Sequence, residues 1–226
     1  QPSTTCRSVR SWPTWRPVWD PGPMPGSAAH RWWRYTIPPM PELATVSKNH
    51  EAEGGRTSGE ATGTPVMLAL DAEIELAAVA GARNMPLYEF VLGNRKTGLR
   101  ANELVTGIRI PKPADASNST FLKLGARKYL VISIVMVGAT LEANDDGTVS
   151  RARIAVGACS EVARRLESLE TSLVGQTVSP ELGDMITAEH LTSLAPIGDL
   201  RGSADYRMDA ALTLVRRALN DLGGRA

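Results

Sequence analysis

Two cysteines, three histidines and a net charge of +1 in 226 residues leave several function classes without material. Cys6 and Cys159 are too few for a disulfide framework, and an iron–sulfur cluster needs about four thiolates. The simplest compartment for such a chain is a reducing cytoplasm. His30, His50 and His190 are scattered, without the spacing of metal ligands. Near-neutral charge gives no electrostatic case for nucleic acid or an anionic membrane surface. No apolar run approaches the roughly 20 residues that span a bilayer, and the N-terminus has no continuous apolar signal core. The longest apolar stretch, Tyr129 to Thr140, has the length of a buried strand.

What is present is unevenly distributed. All five Trp lie at positions 12, 15, 19, 32 and 33, and nine of the fifteen Pro fall within the first 41 residues. This segment has neither a 3.6-residue nor a 2-residue apolar period, and its prolines forbid long helices and central strands. Residues 43 to 64 then turn rich in Gly, Ser, Thr and Glu, as in a flexible linker. Residues 1–61 therefore read as an atypical, disordered leader, foreign in composition to the rest of the chain. Its tryptophans and arginines could stack on a nucleic-acid single strand, but the neutral chain offers no basic groove to support that.

Beyond Thr62 periodicities emerge. Val66 to Leu70 is apolar, and Asp71 to Leu76 alternates as a half-exposed strand. Asn84 to Gly93 reads as a turn with a short helical piece, and Leu104 to Ile110 as a strand stopped at Pro111-Lys112-Pro113. Thr120 to Ala126, Tyr129 to Ala143 and Val149 to Ala158 predict three antiparallel strands. The turn Asn144-Asp145-Asp146-Gly147 joins the last two. Helices are expected over Arg164 to Leu173, from Ser179-Pro180, and over Ser203 to Leu222, where Ala210, Leu214, Ala218 and Leu222 recur every four residues. A sheet followed by clustered helices is α+β, not a doubly wound nucleotide-binding unit.

The segment LGNRKTGLRANELVTGIRIPKPADASNSTFLKLGARK carries a specific order of residues. Thr97, Leu99, Glu103, Leu104, Val105, Ile108, Ile110 and Pro111 are followed by Lys123 and Arg127. Farther on comes Asp199-Leu200-Arg201-Gly202-Ser203-Ala204-Asp205-Tyr206-Arg207. Together these resemble the FAD-binding subunit of molybdenum hydroxylases, the family of xanthine dehydrogenase and the carbon monoxide dehydrogenase flavoprotein. The resemblance covers roughly residues 62 to 222. It implies the end of a flavin-binding α+β domain over 62–112, then a C-terminal α+β domain over 118–222, a three-stranded antiparallel sheet packed with helices.

The implied role is electron transfer in a molybdopterin-dependent oxidoreductase complex. FAD takes electrons from a 2Fe-2S subunit, itself fed by a molybdopterin subunit, and hands them to an acceptor. By the same resemblance Lys123 approaches the flavin, where a cation would stabilise the anionic reduced ring, and Val105 packs on the ring. Without that role, Lys123 is a strand lysine paired with Glu103 or Asp115. Arg127 and Arg207 are expected to hold domains or a partner through carboxylate pairs.

The family's phosphate-gripping motifs are not in the sequence. Before Pro65 the chain reads Gly54-Gly55-Arg56-Thr57-Ser58-Gly59-Glu60-Ala61-Thr62-Gly63-Thr64, a weak echo with Thr62 where an acid is expected. This predicts weak or no FAD binding by the isolated chain, and admits an alternative: a non-catalytic docking module of such a complex that has lost FAD.

Overall fold

A computed structural model describes residues 32–36 (backbone only), 63–114, 117–127 and 131–225. The chain forms two four-stranded antiparallel sheets, the second of them covered on one face by a short helix. Strand β1 (Trp32–Thr36) comes first, inside the segment read as a leader, whose other residues lie outside the described ones. After it come α1 (Thr64–Ala69), β2 (Glu73–Ala78), β3 (Gly81–Pro86), α2 (Leu87–Phe90), a small ribbon of β4 (Val91–Gly93) and β5 (Lys96–Thr97), and β6 (Leu104–Pro111). The first sheet has the order β1-β6-β2-β3.

Val66 to Leu70, an apolar run that fits either helix or strand by length, lies in and just after helix α1, and Pro65 at its start suits a helix. One expectation for this half is corrected: Asn84 to Pro86, expected as a turn, is the end of strand β3, which pairs with all of β2. The alternation in β2 is as expected: Ile74 and Leu76 are buried, while Glu73 and Glu75 are half-exposed.

The second sheet contains β7 (Ser117–Gly125), β8 (Ser133–Ala143), β9 (Val149–Gly157) and β10 (Arg164–Arg165), in the order β10-β9-β8-β7. The three expected strands are there, extended by a two-residue edge strand in place of the start of a helix. Helix α3 accordingly begins later, at Glu167, and runs to Leu173. Gly147, at φ 78°, closes the β8–β9 hairpin. The expected helix after Ser179-Pro180 is only a 3-10 turn, Leu182–Met185. Helix α4 (Ala204–Gly223) matches expectation, and Ser203 Oγ caps it by accepting from Tyr206 N–H.

Every residue of β8 from Ser133 to Leu141 is buried, because both faces of the strand are covered. Val135, Val137 and Leu141 join Ile154 and Val156 of β9 in a core closed by Leu169 and Leu173 of α3 and by Val215, Leu219 and Leu222 of α4. On the other face, α1 lies so close that a Cβ on Gly138 would sit 2.9 Å from the Pro65 backbone. A strand buried on both faces loses its alternation, which explains the unbroken apolar run in the sequence.

Candidate functional site

Val105 stands near the start of β6, and the loop before it is organised by one carboxylate. Arg83 on β3 donates to Glu103 through Nε at 2.7 Å and Nη2 at 2.9 Å, and its Nη2 also reaches Gly98 O. The Arg100 backbone N–H donates to Glu103 as well. The Arg83 hydrogen bonds, helped by that backbone donor, lower the Glu103 carboxyl from 4.5 to about 2. With the loop gathered around Glu103, β6 opens on two exposed apolar side chains, Leu104 at 73% and Val105 at 37%, which as strand neighbours point to opposite faces.

Lys123 lies on β7, an outer strand of the second sheet, with Leu122 and Leu124 packed toward the core and Phe121 and Lys123 exposed. Its Nζ donates to Val131 O at 3.0 Å. Glu103, one of the two partners open to Lys123 as an ordinary strand lysine, is held by Arg83 instead. Asp115, the alternative partner, lies outside the described residues. Val105 and Lys123 stand on different sheets and share no hydrogen-bonded cluster; Arg127 is exposed just beyond β7.

The Asp199–Arg207 motif forms a knot at the head of α4. Asp199 and Gly202 exchange two backbone hydrogen bonds, and the Asp199 carboxylate accepts from Arg207 Nη2 at 2.8 Å and from Arg201 N–H. The Arg207 hydrogen bond is the main reason Asp199 drops from 3.8 to about 2. Arg207 itself is only 3% exposed, and its Nη1 donates to Ile134 O and Ala158 O. Its guanidinium thus ties the α4 head to β8 and to the end of β9. Tyr206 is 47% exposed, and Cβ of Gly202 would collide with its ring, so the ring folds back over the knot.

The most extensive polar cluster has no signature in the sequence. Asp71, in the turn after α1, accepts from Arg153 Nε at 2.6 Å, Arg151 Nη2 at 2.8 Å and Arg165 Nη1 at 2.6 Å. Arg153 also reaches Glu142, and Arg165 grips Glu170 through Nε and Nη2. Glu170 in turn accepts the Ile154 backbone N–H. The alternation of Arg151 and Arg153 with apolar neighbours suggests a solvated strand face, yet Arg153 is 8% exposed beneath the α1 turn. No local spacing signals a pairing across 80 or more residues. Beside this cluster opens a cleft of about 390 Å³, lined by Leu68, Ala72, Pro86, Tyr88, Pro111 and the Arg151 side.

Among the described residues no group of His, Cys, Asp and Glu could hold a metal ion, and no helix is long and apolar enough to cross a membrane. The exposed Val105 side chain suits contact with a planar ring, and Lys123 is a solvent-accessible cation. The segment where phosphate-gripping motifs would fall, ahead of residue 63, lies outside the described residues.

Two family models match in succession: the FAD binding domain in molybdopterin dehydrogenase over residues 57–113, and the CO dehydrogenase flavoprotein C-terminal domain over residues 120–222. The chain is 29% identical over 174 residues to the nicotine 6-hydroxylase medium subunit of Paenarthrobacter nicotinovorans, covering 76% of this chain and 60% of that protein. It is 31% identical over 154 residues to the carbon monoxide dehydrogenase medium chain of Hydrogenophaga pseudoflava, covering 68% and 53%. The solved carbon monoxide dehydrogenase of the same organism, lacking the Mo-pyranopterin moiety, superposes with a TM-score of 0.64 at 31% identity over 70% of this chain and 55% of that one. The chain spans about half the length of the curated relatives it matches.

Proposed function

The chain belongs to the flavoprotein family of the molybdenum hydroxylases, that of the carbon monoxide and xanthine dehydrogenase FAD subunits, and from this we propose that it serves as the electron-transfer subunit of such a complex. The observation that carries the reading is the succession, in one chain, of a flavin-domain match and a flavoprotein C-terminal match on a fold shared with a solved carbon monoxide dehydrogenase. A 2Fe-2S subunit and a molybdopterin subunit are the partners this assigns, and the cytoplasm the compartment.

In this reading the flavin supplies reversible electron uptake, and the protein supplies placement and electrostatics. Val105 would offer the ring an apolar contact. Lys123 would place a positive charge that favours the reduced, anionic form over the oxidised one. The Arg83–Glu103 pair would fix the loop presenting Val105, without contact to the ring.

One observation favours the second reading, a docking module without flavin. The sequence ahead of Pro65 lacks the family's phosphate-gripping pattern, and backbone N–H groups of such loops contribute most of the phosphate binding. Co-expression with the iron–sulfur and molybdopterin subunits separates the two. A co-purified complex carrying flavin supports electron transfer, one without flavin supports docking alone, and failure to co-purify with either subunit removes both.

A further inference from the structure

We propose that Asp71 locks the angle between the two sheets and so acts as a positioning residue for the strands that carry Val105 and Lys123. Its consequence for a flavin rests on the function proposed above; the lock itself does not. Helix α1 is fastened to the second sheet at both ends. Pro65 sits over Gly138 and Gly157, and carbonyls at the helix C-terminus accept from that sheet's side chains: Thr140 Oγ1 donates to Ala69 O at 3.0 Å and Arg165 Nη1 to Leu68 O at 3.3 Å. A few residues later the chain enters β2 of the first sheet. The covalent step from α1, seated on the second sheet, to β2 is therefore the turn at Leu70, Asp71 and Ala72.

That turn is a hinge by position and a lock by chemistry. Asp71 has φ 51°, a left-handed conformation that Asp adopts more readily than most residues but that still needs external support. The support is the three guanidiniums of Arg151, Arg153 and Arg165, all from the second sheet. With Glu142 and Glu170 the cluster holds three cations and three anions, so it is closed upon itself and needs no further ion. The apolar contact across the junction, in which Ala155 meets Leu68, Ile74 and Leu76, has no directional preference and would permit sliding. Hydrogen bonds from guanidinium to carboxylate are directional, and they fix one angle. Leu76 on β2 pairs with Val105, and Lys123 pairs with Met136 on β8, so the angle at Asp71 sets the relative placement of the strands carrying Val105 and Lys123.

The test places spin labels on the full chain at Val79→Cys, in the exposed β2–β3 turn, and Val174→Cys, exposed after α3, in a Cys6→Ser background. Electron–electron resonance should give one narrow distance distribution in this parent. Asp71→Asn, which tolerates the same backbone but removes the charge, should broaden it. Arg151→Gln, at a guanidinium 56% accessible and therefore safe for folding, should broaden it less. Distributions superposable on the parent in both variants would overturn the lock, and in Arg151→Gln alone would do so if Asp71→Asn does not fold. In the complex with its partner subunits, the Asp71→Asn flavin should also show a shifted midpoint potential. A parent complex without flavin would sink the functional reading, while the distance measurement would still decide the lock.

Discussion

Arg83 and Glu103, twenty residues apart, are joined by a two-pronged pair at 2.7 and 2.9 Å that ties β3 to the start of β6. The pair shapes the loop from which Val105 emerges, and it makes that loop sensitive to acid.

Because Glu103 titrates at about 2 in the fold and near 4.5 otherwise, its stabilisation is fully present above pH 4.5 and is lost as pH falls toward about 2. Urea midpoints of the parent and of Glu103→Gln should therefore differ most at neutral pH and converge through that window. A constant gap across it would show that the charge on Glu103 does not matter.

Arg207→Met should destabilise the C-terminal half by about 3 kcal/mol, since it strips donors from Ile134 O, Ala158 O and Asp199 at a buried position. The loss should appear in denaturant unfolding without change in co-purification at permissive temperature. Because Arg207 reaches its three acceptors through both Nη1 and Nη2, the single ammonium of Arg207→Lys should recover only part of the stability.

Gly138→Ala should cost about 1–3 kcal/mol, as its Cβ would press on the Pro65 backbone, which cannot step aside. Gly157→Ala meets the Pro65 ring and a Met136 methyl instead, softer neighbours, and should cost less. Equal thermal midpoints for the two variants would contradict the close seating of α1.

Lys123→Met in the assembled complex should lower the midpoint potential of the flavin, because a cation favouring the reduced ring is gone. Its Nζ bonds only a carbonyl in an exposed setting, so folding should be unaffected. An unchanged potential would return Lys123 to an ordinary strand lysine.

The sequence is most legible where burial is one-sided. β2 alternates because one of its faces is covered, and α4 shows its stripe every four residues for the same reason. It is least legible at the junction. The short run at Val66 is ambiguous between helix and strand, β3 carries Arg83 and Asn84 in place of an apolar alternation, and Arg164–Arg165 pairs too briefly to leave a pattern. Val105 and Lys123 stand out by resemblance, and their surroundings follow from the fold. The Asp71 cluster leaves no local trace, because its partners lie 80, 82 and 94 residues away.

The most direct measurement is a titration of FAD, followed by flavin fluorescence, into the chain assembled with its iron–sulfur and molybdopterin partners. Saturable quenching that Val105→Arg abolishes, while the variant still assembles, is the predicted result. No quenching in the assembled parent, or quenching indifferent to Val105→Arg, would contradict the placement of a flavin against β6.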